Sequence, residues 1–278
     1  MYLEKKQAEE KLVEYEKDMQ MQELSARTIH KYLADIGDWL KQMEDVIITK
    51  EMVISYKKEL SKNYKVASIN SKIISVNRYL RWLDFSDLVV RTERIQAPNV
   101  LDKMITKENY FAMLKFAKDS GRSRLYYIMK TIAGTGLRVG ELKYVPVQAI
   151  TDGYTQIWNK GKYRYIYFSE SLCMELMEYC NNSGINKGII FIGRKEEKVI
   201  TSAAVWKGLK NIAKELGIPE DTVFPHSFRH LFAKNYMEKV GDITELADIL
   251  GHSRLETTWI YTKTTSAEKR KRLELLDL

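Results

Sequence analysis

YTQIWNKGKYRYIYF, residues 154–168, is the stretch that decides the fold class, because it sets β-forming residues inside a chain that is otherwise helical in pattern. YTQIW (154–158) and YRYIYF (163–168) are rich in aromatic and β-branched residues, and a tight turn at Asn159 to Lys162 joins them, which predicts an antiparallel hairpin. GIIFIG (188–193) reads as a third short β-rich stretch. Outward from the hairpin both flanks read as helices. ITKENYFAMLKFAKDSG and SRLYYIMKTIAGTG end at Gly121 and at Gly134 or Gly136. From Thr201 onward helix resumes, with breaks at Gly217 to Pro225, Gly241 and Gly251.

Farther upstream, LSARTIHKYLADIGDWLKQM places Ile29, Tyr32, Leu33, Ile36, Trp39, Leu40 and Met43 on one helical side, with Ser25 as a fitting N-cap. TKEMVISYKKELSK and ASINSKIISVNRYLRWLDF repeat the pattern with Thr49 and Ser68 as caps, so the first hundred residues predict a bundle of about four helices and need no strand. RIQAPNVLDKM (94–104) holds the first proline and no periodicity, which marks a linker. The expected architecture is mainly α with a small antiparallel β-sheet in the C-terminal domain. Residues 1–95 form a helical domain, 96–104 the linker and 105–278 a second domain with a C-terminal tail.

Composition bounds the function. The 278 residues suffice for two ordinary domains, and 45% hydrophobic residues with four prolines suit a folded chain. No apolar run approaches a membrane span, and MYLEKKQAEEK lacks a signal peptide's apolar segment, so a cytoplasmic protein without membrane contact is expected. Cys173 and Cys180, seven apart on one predicted helix, suit core thiols better than a disulfide or metal site. Of the net charge of +8, +1 lies in residues 1–100 and +7 in the remainder, so the second domain is the one suited to a polyanion such as nucleic acid.

Four short clusters carry phosphate chemistry. In GTGLRVGEL, Arg138 follows a glycine-flanked turn, where a guanidinium can fork onto two phosphate oxygens; pairing with Glu141 is the plainer alternative. In NKGKYRYIYF, Lys160 and Lys162 lie in the hairpin turn, where lysines commonly just protect a sheet edge. PHSFRHLF offers His226, Arg229 and His230 at a helix start. The i, i+4 histidines match helical zinc spacing but lack the intervening glutamate and a third ligand nearby, so no metal is expected. LGHSRLETTWIYT (250–262) brings His252 and, nine residues later, Tyr261. A free phenol ionises near pH 10, so Tyr261 is a weak nucleophile unless its surroundings help. Two arginines and a histidine on one phosphate would stabilise a pentacoordinate transition state without a metal; a histidine or a neighbouring phosphate oxygen could take the phenol proton and a lysine protonate the leaving oxygen.

These motifs, in this order, resemble the tyrosine recombinases of the phage-integrase family: TGLRVGEL, a hairpin lysine in NKGK, HSFRH, LGH, and a tyrosine nine residues after that histidine. SARTIHKYLAD resembles, more loosely, the helical core-binding domain of the same family. The resemblance implies a helical core-DNA-binding domain followed by a catalytic domain. It also implies that Tyr261 attacks a scissile DNA phosphate to form a 3′-phosphotyrosyl link and release a 5′-hydroxyl. Arg138, Arg229 and His252 would hold the phosphate, Lys160, preferred to Lys162, would act as general acid, and His226 would assist the phenol's proton. Glu141 and His230 would support these groups. No cofactor is implied, since the protein–DNA bond conserves the phosphodiester energy.

Gly140 stands where many relatives carry a small polar residue, a change expected to matter little, and Trp259 is expected to pack in the helix that carries the nucleophile. The tail AEKRKRLELLDL, with Leu273, Leu275, Leu276 and Leu278, is expected to dock into a neighbouring protomer in a head-to-tail ring rather than fold back on its own domain. The partners implied are double-stranded DNA with paired binding sites and further copies forming a tetramer, with room for an accessory protein. Only some twenty-four residues precede the first core-binding helix, as in the short Xer-like class. Rival readings are a type IB topoisomerase that relaxes DNA as a monomer and a catalytically silent DNA-binding relative.

Overall fold

The computed structural model describes residues 2–43, 47–94, 104–159, 162–193, 198–262, 270 and 274. The chain divides into two compact units, Met1–Ala97 and Pro98–Leu278. Most of the expected linker lies outside the described residues.

In the first unit, β1 (Leu3–Glu4) is followed by helices α1 (Lys5–Glu10), α2 (Leu12–Met21) and α3 (Ala26–Lys41). After β2 (Ile47–Ile48) come α4 (Lys50–Asn63), α5 (Val66–Trp82) and a 3-10 turn at Ser86–Leu88. The Ser25 and Thr49 hydroxyls accept from the Thr28 and Met52 N–H groups, capping α3 and α4 as their sequences predict. Ile29, Ile36, Trp39, Leu40 and Met43 are buried and Tyr32 and Leu33 pack against them, so the face read from the periodicity is the face that meets the core. Two expectations change. The β1–β2 ladder is a strand pair where none was expected; it buries Leu3 and Ile48 and ties the chain's start to the entry of α4. Ser68 does not cap α5, which begins two residues earlier with Lys65 at the N-cap.

The second unit opens with α6 (Lys107–Asp119) and α7 (Ser123–Thr135), a 3-10 helix at Val139–Tyr144, and α8 (Val147–Asp152). The hairpin β3 (Tyr154–Asn159) and β4 (Lys162–Tyr167) leads to α9 (Glu170–Asn182), α10 (Ser202–Glu215), α11 (Pro225–Lys239) and α12 (Ile243–Leu250). Asn159 pairs with Lys162, and Ile157 and Ile166 on the inner face are fully buried, each such side chain stabilising by about 1.5–3 kcal/mol. Tyr154, Trp158, Tyr163, Tyr165 and Tyr167 line the outer face, each 45% exposed or more. GIIFIG forms no strand, only isolated bridges of Ile189 to Pro146 and Ile192 to Val199, each confined to a single residue pair. Cys180 is buried and Cys173 half-buried, both as free thiols. Among the described residues no helix is long and apolar enough to cross a membrane.

Candidate active site

The site is assembled around the C-terminus of α12. Its last carbonyls have no partner within the helix and carry the negative end of the helix dipole. Three arginines from distant parts of the sequence supply donors there. Arg164 Nη1 donates to the Ile249 carbonyl at 2.8 Å, Arg229 Nη2 to Leu250 at 2.6 Å and Arg138 Nη2 to Gly251 at 3.4 Å. Arg229 Nη1 also donates to the Gly136 carbonyl at 2.5 Å, tying the end of α7 to α11.

Two glycines make this convergence sterically feasible. Gly136 ends α7 with φ +68, and a Cβ there would lie 2.7 Å from Phe232 and 2.9 Å from Leu250. Gly251 turns the chain out of α12 with φ +62, and a Cβ would lie 2.7 Å from the Arg164 side chain. By contrast a Cβ on Gly140 would meet nothing within 4 Å, consistent with its variation mattering little.

Glu141 holds two of the arginines. Its carboxylate accepts from the Arg138 N–H at 2.8 Å and from Arg138 Nη1 at 3.0 Å, and it also pairs with Arg164. Burial alone would raise this carboxyl, but Arg164 and the Arg138 N–H and guanidinium together hold it below the usual carboxylate range. The ion pair proposed as the plain alternative for Arg138 therefore exists, and it serves to aim the guanidinium. Three arginines against one carboxylate leave a fixed excess of two positive charges, a ready anion site. Arg229 is 2% exposed, and burial followed by Arg138 and Arg164 brings its guanidinium down to about 9. Arg164 was not among the residues singled out in the sequence; its place among β-formers on a strand carries no sign of this role.

The α11 start supplies the rest. Pro225 begins the helix, and Ser227 Oγ donates to the Phe224 carbonyl and accepts the Phe224 N–H, seating the first turn. His226, Arg229 and His230 then share one face. His252 Nδ1 lies 2.8 Å from Thr258 Oγ1 and its Nε2 3.2 Å from Arg229 Nη2. Because a guanidinium only donates, Nε2 accepts and the ring is neutral with its proton on Nδ1. Burial, then Arg229, Arg138 and Arg164, bring His252 down to about 4. Partial burial, then Arg229 and Arg138, lower His226 as well.

Tyr261 lies in a 3-10 helix, Trp259–Thr262, and is buried in a cluster with Ala233, Leu246 and Leu250. It is 5% exposed, and burial raises its phenol while Arg229 and Arg138 partly offset that. The phenol oxygen lies 2.7 Å from His230 Nδ1. His230, rather than His226, is thus the histidine at the phenol. Trp259 does not pack as expected: it is 52% exposed, since Thr258 and Tyr261 take the inward positions of this turn. Lys160 and nearly all of the C-terminal tail lie outside the described residues.

Comparison with known proteins identifies the family. Residues 103–268 match the phage integrase family, and residues 12–84 match the phage integrase N-terminal SAM-like domain. Tyrosine recombinase XerA of Pyrococcus furiosus is 28% identical over 283 residues, covering 99% of this chain and 96% of that protein. The fold is similar to that of a lambda integrase(75–356) dimer bound to a COC′ core site, with TM-score 0.76, 18% identity, and 94% of this chain and 95% of that chain covered. It is also similar to a lambda integrase tetramer bound to a Holliday junction, with TM-score 0.72, 18% identity, and coverage of 89% and 75%. TGLRVGEL, HSFRH, LGH and Tyr261 thus converge in a unit whose sequence matches the family model across more than half the chain, and this chain belongs to the phage integrase family of tyrosine recombinases.

Proposed function

We propose that this protein is a site-specific DNA recombinase that cuts and rejoins strands at paired sites through a 3′-phosphotyrosyl intermediate. The observation that carries the reading is the buried Tyr261 phenol within the field of Arg138 and Arg229, in the same chain's own site. In this reading Arg138 and Arg229 hold the nonbridging oxygens of the scissile phosphate, with His252 joining them once its Nε2 carries a proton and turns from Arg229 to the phosphate; Arg164 and Glu141 keep the arginines aimed, and Tyr261 attacks phosphorus. Lys160 protonates the departing 5′ oxygen. The phosphotyrosyl bond conserves the energy of the broken phosphodiester, so a partner strand's 5′-hydroxyl reverses the step without ATP. Residues 1–95 act as the core-DNA-binding domain and 105–278 as the catalytic domain. Four protomers assemble on DNA, as the tetrameric state of the similar lambda integrase supports, and they do so through exchange of the C-terminal tail.

The test is covalent capture. Wild type and Tyr261→Phe are mixed with fragmented host genomic DNA, the mixtures are denatured, and DNA still attached to protein is sequenced. Recovery of one paired-repeat site with wild type alone is expected. Attachment by the Phe variant would assign the nucleophile elsewhere, scattered recovery would favour topoisomerase-like relaxation, and no recovery with wild type would favour a silent DNA-binding relative.

A further inference from the structure

His226 and His230 lie one turn apart on α11, with ring centroids 6.3 Å apart. Only the second is placed at the nucleophile: its Nδ1 is 2.7 Å from the Tyr261 phenol oxygen, with the rings 5.5 Å apart. The Phe224 ring also meets His230, in a T-shaped arrangement with centroids 6.4 Å apart. We infer that His230 is a catalytic residue, the group that accepts the Tyr261 phenol proton during strand cleavage and returns it during rejoining. The inference rests on the strand-transfer reading above. In the step, the phenol O–H bond breaks and its proton passes to Nδ1 while the phenol oxygen bonds to phosphorus. The P–O5′ bond breaks, and Lys160 gives the 5′ oxygen its proton. Rejoining runs the same transfers backward and leaves His230 neutral again.

The surroundings suit the role. Burial, then His226 and Arg229, hold His230 down to about 4, so its ring is neutral at physiological pH and a lone pair is free to receive the proton. The phenol, raised by burial, stays protonated in the resting protein and requires a base in the step itself. Two changes during attack bring donor and acceptor together. A phosphodiester beside Arg229 cancels part of the positive field that depresses His230, and the forming P–O bond acidifies the phenol. Proton transfer therefore accompanies attack rather than preceding it. This keeps Tyr261 unreactive until a phosphate arrives.

The test uses full-length protein and a nicked duplex of the captured site, from which the short 5′-hydroxyl fragment diffuses away. His230→Asn keeps a polar atom at the Nδ1 position but cannot take a proton, and His230→Gln serves if the Asn variant melts early. DNA binding by mobility shift is expected to equal wild type, with adduct formation about 10²–10³-fold slower. One modified substrate and one modified nucleophile separate base catalysis from structure. A 5′-bridging phosphorothiolate duplex, whose sulfur leaves without a proton, is expected to rescue Lys160→Ala but not His230→Asn. A ring-fluorinated tyrosine at position 261, which ionises more readily, is expected to shrink the His230→Asn defect at least tenfold. A variant within threefold of wild type, rescue by the phosphorothiolate, or a defect unchanged by fluorination would each overturn the assignment. Wild type forming no adduct at all would overturn the strand-transfer reading itself, and the role of His230 with it.

Discussion

Glu141→Gln is the perturbation that best separates this site from a collection of independent residues. The carboxylate is 4% exposed and accepts from the Arg138 N–H, the Arg138 guanidinium and Arg164. A glutamine carbonyl retains at most two of those bonds, and its NH2 faces a guanidinium that can only donate. The loss of at least one charge-assisted bond, with Arg164 and the part-exposed Arg138 left without their carboxylate, costs about 3 kcal/mol, at the low end for a broken buried pair. For a unit of this size that corresponds to a drop of about 6–12 °C in its melting temperature at pH 7. Because the folded carboxyl sits below its ordinary value, its stabilisation is present above the unfolded value of about 4.3 and is lost as pH falls through the lowered one. The gap between wild type and variant should therefore be full at pH 7 and begin to narrow below about pH 4.3, continuing down through the lowered folded value. Calorimetry of both proteins from pH 7 to 3 measures it. A drop under about 2 °C at pH 7, or a gap that does not change with pH, would refute the bridging role.

Gly136→Ala forces a left-handed Ala and a Cβ into Phe232 and Leu250, so a loss of about 2–4 kcal/mol is expected in urea unfolding, against near-neutral Gly140→Ala as control. His252, surrounded by Arg229, Arg138, Arg164 and His230, and depressed to about 4, contributes stability that is whole above the unfolded value of about 6.5 and lost between there and pH 4. His252→Asn retains a partner for Thr258 and should flatten the urea midpoint across that window; an unchanged slope would count against a neutral buried ring. Deleting residues 267–278 should impair synapsis on native gels far more than binding of a single site, and equal loss of both would argue against tail exchange.

The order of TGLRVGEL, HSFRH, LGH and Tyr261 was enough to name the family, because each motif is a local run whose residue types answer to one phosphate. The helical faces were equally legible, since a 3.6-residue period binds Ile29, Ile36, Trp39 and Leu40 to one side wherever the helix packs. Caps and short bridges were less so: α5 begins at Val66 without a side-chain cap, and GIIFIG lacks a neighbouring strand to complete it. What only the tertiary structure decided are the contacts across the sequence. Arg164 reads as one strand residue among five aromatics until β4 meets α12 and delivers it to Glu141, 23 residues away, and to Ile249, 85 residues away. Spacing alone puts His226 and His230 on the same face, and the position of the last 3-10 turn, set by Ala233, Leu246 and Leu250 beneath it, determines which ring meets the phenol. Local periodicity fixes what a residue faces along its own element; which partner arrives there depends on the packing of elements that the chain brings together from far apart.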